Sequence, residues 1–195
     1  MTLRLLHCDA VAPQPWKNGG GMTRELLAWP TAADWALRIS VADIHADGPF
    51  SAYPGVARWF AVLQGGGVRL TLPEGERVLR AGDAPLAFAG EAAPACALLA
   101  GATRDLNLML RRDAGRATMQ LARSGDSFAP RAGLRALFAV DALTLQVDGA
   151  AALQLPAFTL AWDDAAASQP WHIAAARPDT AAPRAYWLHF EPRTP

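Results

Sequence analysis

Residues 35–42 read Trp-Ala-Leu-Arg-Ile-Ser-Val-Ala, an alternation that puts Trp35, Leu37, Ile39 and Val41 on one face of a strand and Arg38 and Ser40 on the other. The same period of two runs through residues 58–64, 68–72, 104–112, 143–147, 158–162 and 185–190. Glycine-bearing turns such as Gly65-Gly66-Gly67 and Pro73-Glu74-Gly75-Glu76 separate many of these runs, and no long stretch has the 3.6-residue period of an amphipathic helix. The pattern predicts an all-β chain whose sheets fold into a sandwich or barrel.

An internal echo refines that prediction. Phe60-Ala61-Val62 leads through residues 68–72 to Glu74-Gly75, and Phe138-Ala139-Val140 leads through residues 143–147 to Asp148-Gly149. Two related β halves follow, residues 1–123 and 124–195, with a soft division around Gly125 to Gly133. Residues 124–133 and 174–183 are rich in turn formers and are predicted loops. Asp163-Asp164, adjacent and acidic, also read as turn residues.

With 195 residues and 52% hydrophobic content, the chain can bury a sizeable core. Its 18 basic and 18 acidic residues cancel, and no basic run exceeds Arg111-Arg112, which argues against a nucleic-acid groove or a membrane-surface helix. Uncharged stretches fall short of the ~20 apolar residues of a membrane span, and the first ten residues lack a signal-like apolar core, so a cytoplasmic location is expected. Cys8 and Cys96 are far apart and read as two reduced thiols. His7, His45, His172 and His189 stand alone without ligand spacing, so neither a metal nor another cofactor is expected, although ligands can converge from distant strands.

Candidate chemistry concentrates in three segments. The first runs Pro15-Trp16-Lys17-Asn18-Gly19-Gly20-Gly21-Met22-Thr23-Arg24-Glu25-Leu26, where consecutive glycines expose backbone N–H groups between two cations. It reads either as an anion site or as a plain turn opening a strand. Lys17 is the only lysine in the chain. The second, Asp47-Gly48-Pro49-Phe50-Ser51 through Tyr53 to Arg58, reads as an aromatic pocket wall or as a barrel plug. The third is residues 105–112, with Leu106, Leu108 and Leu110 on one face and Asp105, Asn107, Met109 and Arg111 on the other. In an open sheet that polar face would be wet, whereas in a small barrel it can point inward and line a cavity.

These segments, with the strand at 35–42, stand in the order seen in the HutD/Ves family, and the chain closely resembles that family over residues 13–112 and by strand pattern from about 118 to 190. The resemblance implies a double cupin, two β-barrel halves in one chain, without the histidine-rich metal motif of catalytic cupins. It also implies a protein associated with histidine utilisation that binds a small acidic metabolite of the N-formylglutamate or urocanate class, or a stress-responsive protein of the Ves branch. The ligand-binding residues implied are Lys17, Asn18, Gly19, Gly20, Thr23, Arg24, Arg38, Ser40, Phe50, Ser51, Arg58, Asn107 and Arg111. Arginine suits a carboxylate through its two-pronged fork. Two further readings stay open: a cupin enzyme acting on a small carboxylic acid, metal-dependent or assisted by Lys17 or an arginine, and a packed interaction module. A homodimer is compatible with each of the three.

Overall fold

A computed structural model describes residues 3–129, 132–164, 169–176 and 182–193. In chain order the strands are β1 (Arg4–His7), β2 (Gln14–Pro15), β3 (Gly21–Pro30), β4 (Trp35–Ile44), β5 (Gly48–Pro49), β6 (Val56–Gly65), β7 (Val68–Leu72), β8 (Gly75–Leu79), β9 (Leu86–Ala89) and β10 (Ala95–Leu98). They continue as β11 (Thr103–Arg111), β12 (Gly115–Ala122), β13 (Ser127–Phe128), β14 (Leu134–Ala139), β15 (Leu143–Val147), β16 (Leu153–Leu155), β17 (Thr159–Asp163), β18 (Trp171–Ala175) and β19 (Ala185–Pro192). Among the described residues the helical elements are two short 3-10 turns, and no helix is long and apolar enough to cross a membrane. The chain is an all-β, cupin-like protein with the arrangement of a double cupin.

The chain divides into two compact units, Val11–Gly115 and a second formed by Met1–Ala10 with Arg116–Pro195. The opening residues and β12, which the sequence reading placed in the first half, thus belong with the second. The cause is pairing: β1 is an edge strand antiparallel to β17, with Arg4 opposite Trp162 and His7 opposite Thr159, while β12 flanks β19.

In the first unit a six-stranded sheet, β2-β3-β4-β11-β6-β9, and a four-stranded sheet, β5-β10-β7-β8, share one apolar cluster that includes Ile44, Phe60, Val62, Val68, Leu70 and Cys96. In the second, the orders β1-β17-β14-β19-β12 and β13-β18-β15-β16 enclose Leu137, Ala139, Leu145, Ile173, Trp171 and Trp187. Strand for strand, β4-β11-β6-β9 corresponds to β12-β19-β14-β17, and β5-β10-β7-β8 to β13-β18-β15-β16. The internal echo is therefore real, but its alignment shifts by one residue. Inward positions run Arg58, Phe60, Val62 on β6 and Arg135, Leu137, Ala139 on β14, so Phe60 matches Leu137 and not Phe138.

The predicted loop at 124–133 contains β13, and residues 130 and 131 lie outside the described residues. The predicted loop at 174–183 begins on the end of β18, and residues 177–181 lie outside the described residues. Asp163 is a correction: it ends β17 and is buried at 1% exposure. Its neighbour Asp164 meets Arg4 at 3.0 Å on the surface.

Candidate functional site

Strands β4, β11 and β6 lie side by side in the first unit, Arg38 opposite Met109 and Met109 opposite Arg58, then Ser40 opposite Asn107 and Asn107 opposite Phe60, with a register shift between β11 and β6 only beyond these pairs, at Arg104 and Asp105. Their apolar faces, Leu37, Ile39, Val41, Leu106, Leu108 and Leu110, are all buried on the side of the sheet away from the barrel interior. Alternation then turns the polar face inward. This is the arrangement of a cavity-lining sheet and not of a wet open one.

The interior of this unit holds a cavity of about 680 Å³. The sheet supplies Arg38, Ser40, Ala42, Arg58, Phe60, Asn107 and Met109, and the β5 region supplies Pro49, Phe50, Ser51 and Tyr53. The segment from β2 into β3 adds Gln14, Trp16, Lys17, Asn18 and Thr23. Among the described residues the lining carries three cations, Lys17, Arg38 and Arg58, and no carboxylate.

Arg58 is 7% exposed. Its Nη2 donates to Asn107 Oδ1 at 3.0 Å, which leaves the Asn107 amide nitrogen as a donor, while Nε and Nη1 are buried without a hydrogen-bond partner. The guanidinium carbon lies 5.1 Å from the ring of Phe50, 5.2 Å from Phe88 and 5.8 Å from Tyr53. Burial pushes its pKa down to about 10; the neighbouring Tyr53 opposes that shift and Arg38 adds to it. Aromatic faces stabilise a cation only in part, and a buried charge without a counter-charge keeps most of its desolvation cost. Arg38, by contrast, has Glu25 Oε2 2.7 Å from its Nε and lies over Trp35.

Trp16 closes one wall. Its indole N–H donates to Thr23 Oγ1 at 2.7 Å, and its ring meets Phe50 edge-on at 6.5 Å. Gly21 makes that placement possible, because a Cβ there would sit 2.5 Å from the Asp43 carbonyl oxygen and 3.2 Å from the Trp16 ring.

Beneath the cavity, Asp105 stands two residues before Asn107 on the same inward face and is fully buried. Thr103 Oγ1 donates to its Oδ2 at 2.8 Å, and Oδ1 has no partner. Burial pushes this carboxyl up to about 8, against the Thr103 hydrogen bond and with the help of the Asp43 charge.

Nine of the residues named from the sequence come together on the lining: Lys17, Asn18, Thr23, Arg38, Ser40, Phe50, Ser51, Arg58 and Asn107. Four do not. The Gly19 N–H donates to the Trp16 carbonyl and the Gly20 N–H to Asn18 Oδ1, so the turn itself consumes the donors that the glycine run was expected to present. Arg24 alternates to the far face from Thr23, where it and Arg104 grip Asp43. That carboxyl is pushed up by burial, but the two arginines hold it below the usual carboxylate range. Arg111 ends β11 with its side chain 45% exposed, bonded to Asp34 at 2.7 Å and near Asp113 at 3.5 Å. It stands one inward step past Met109, beyond the cavity.

Sequence reasoning did not select Trp16, Tyr53, Met109 and Phe88 as site residues. Trp16, Tyr53 and Met109 lay within the three segments singled out, where the reading favoured cations and small polar side chains and took Phe50 as the aromatic cover. Phe88 sits on a four-residue strand with no clean alternation to give away its face.

Three of the four histidines have separate partners: His172 faces Asp148 at 3.3 Å, His189 bonds the Ala132 carbonyl at 3.0 Å, and His7 accepts from the Asp9 N–H at 3.2 Å. Among the described residues, no three His, Cys, Asp or Glu side chains group so as to hold a metal ion.

Comparison with known proteins follows the same lines. The chain is 42% identical over 122 residues to an uncharacterized 21.2 kDa protein in the hutC 3' region of Pseudomonas putida, a match covering 60% of this chain and 63% of that one. It is 37% identical over 122 residues to the protein Ves of Citrobacter koseri, covering 61% and 64%. The chain thus spans under two thirds of the length of these curated relatives. HutD from Pseudomonas fluorescens, its structure determined in a formate condition, superposes with a TM-score of 0.85 at 27% identity over 99% of this chain and 100% of that one. Residues 9–181 match the HutD family, and the chain belongs to it.

Proposed function

We propose that this protein binds a small carboxylic acid in the first-unit cavity, with Arg58 as the anchor for the carboxylate, and that the acid belongs to the class formed in histidine degradation, such as N-formylglutamate or urocanate. One observation carries the reading: a nine-tenths-buried guanidinium with two unsatisfied nitrogens faces a cavity lined by cations and by no acid. A buried charge in that state is costly, and an anionic guest that accepts hydrogen bonds from it repays the desolvation. The Asn107 amide nitrogen and the Ser40 hydroxyl add donors beside it, and Phe50, Tyr53 and Phe60 offer apolar walls for the ligand's stem. The formate condition of the Pseudomonas fluorescens HutD structure supports the smallest member of the class as a first probe.

Isothermal titration with formate, N-formylglutamate, urocanate and glutamate tests the reading. Binding at millimolar concentration or better is expected for at least one acid, and Arg58→Met is expected to weaken it at least tenfold, a loss of about 1.5–3 kcal/mol for a charged hydrogen bond. If Arg58→Met bound the acid as tightly as the wild type, the anchor would be misassigned.

A further inference from the structure

Asp105 takes no part in the site as described, yet its position ties it to the cavity. The inward residues of β4, β11 and β6 form cross-strand rows: Arg38, Met109 and Arg58 in one, then Ser40, Asn107 and Phe60, then Ala42, Asp105 and Val62. Ala42 still lines the cavity, and Val62 belongs to the apolar cluster. Asp105 is therefore the first acidic group beneath the floor, two residues and about 7 Å along β11 from the amide that steadies Arg58.

Among the described residues no cation faces it that would balance a negative charge. From β4 comes Ala42, with Asp43 next to it on the opposite face, where Arg24 and Arg104 are engaged. From β6 comes Val62, with Arg58 two rows away and already bonded to Asn107. Cys96 on β10 is a buried thiol whose pKa burial pushes up to about 12, with Asp105 and Asp47 adding to the rise. The Thr103 hydroxyl satisfies one oxygen only.

We infer that Asp105 is kept as a neutral acid under the cavity floor and couples ligand affinity to pH, its ionisation placing a negative charge close enough to the Arg58 anchor to expel a bound carboxylate. This rests on the carboxylate-binding reading above. Like charges about 8 Å apart in a partly solvated interior repel enough to weaken binding about tenfold to thirtyfold. By linkage, a bound anion holds the proton on Asp105, so binding above neutral pH takes up a proton from solvent.

Two measurements test the inference, with N-formylglutamate as the probe. Infrared difference spectra of wild type minus Asp105→Asn are expected to show a protonated-carboxyl band at pH 7 that bleaches as pH passes about 8. Asp105→Ser serves as reference should Asp105→Asn not fold. Titration calorimetry is expected to show wild-type affinity falling about tenfold between pH 7 and 9, with proton uptake seen as a buffer-dependent heat, and a flat profile in the variant. The variant also separates Asp105 from Lys17, Tyr53 and Arg58, which it leaves in place. A missing infrared band overturns the inference whatever the ligand does. Binding that is pH-independent, or that weakens equally in the variant, overturns the coupling alone, and no binding at any pH by either protein overturns both the coupling and the binding reading.

Discussion

Both units place an arginine at the same inward position, Arg58 on β6 and Arg135 on β14, and they treat it in opposite ways. In the second unit Arg135 is fully buried, donates to the Gln169 carbonyl at 2.5 Å, has Asp163 Oδ2 3.9 Å from Nη2, and lies 4.4 Å from the Trp171 ring. Where the first unit has Asn107, the second has Trp187, stacked on Phe128 at 4.8 Å. Where the first has Phe88, the second has Asp163. The second interior thus supplies its own counter-charge and packs indole rings around it, whereas the first sets the guanidinium on a cavity with no carboxylate among the described lining residues. One scaffold position serves as a structural tie in one unit and is the proposed ligand anchor in the other, and the neighbouring residues differ accordingly: Trp187 and Asp163 beside Arg135, Asn107 and Phe88 beside Arg58.

The sharpest way to break this comparison is to remove each arginine. Arg135→Met leaves Asp163 buried beside no cation, and denaturant unfolding should show a loss of about 3–5 kcal/mol. Arg58→Met removes a charge that has no acid to pair with, so its unfolding free energy should change by under about 1 kcal/mol or rise. Equal losses in the two variants would show that Arg58 has a hidden structural partner and that the units do not differ as described.

Next in size is the pH dependence of stability that Asp105 imposes. Its folded pKa, about 8, lies well above that of an ordinary aspartate, so between the two the folded chain holds a proton that the unfolded chain has released. This contribution is complete below the unfolded pKa and is lost as pH rises through about 8, with a slope of at most about 1.4 kcal/mol per pH unit between them. Chemical denaturation from pH 5 to 9 should show that decline in the wild type, and Asp105→Asn should flatten it. Asp43, whose carboxyl is held low by Arg24 and Arg104, acts in the opposite sense, its stabilisation fading as pH falls through its folded pKa. A wild-type profile unchanged by Asp105→Asn would remove the buried acid from the account.

The smallest expected effect belongs to Arg111. It lies outside the cavity among exposed acids, so Arg111→Ala should leave both acid binding and melting temperature unchanged, in contrast to Arg58→Met. Loss of binding in Arg111→Ala would extend the site beyond the end of β11.

Period-two alternation revealed most of the first unit, because β4 and β11 bury an apolar face and turn a polar one inward without interruption. Arg58, Asn107 and Ser40 were legible for that reason. The second unit was harder to read. Its key acid, Asp163, stands beside a second aspartate and mimics a turn, and its strand β14 is buried on both faces, Leu134 through Ala139, so no alternation marks Arg135. The glycine run suggested exposed N–H groups, and only three-dimensional closure shows Trp16 and Asn18 consuming them. Arg24 and Arg111 were legible as cations but not as partners of Asp43 and Asp34, which are distant in sequence.

A crystal structure of the protein soaked with N-formylglutamate tests the central claim most directly. A carboxylate is expected within hydrogen-bond distance of Arg58 Nη1 or Nε and of the Asn107 amide nitrogen, inside the first unit. A ligand bound elsewhere, or a saturated crystal in which those two Arg58 nitrogens keep no acceptor, would contradict it.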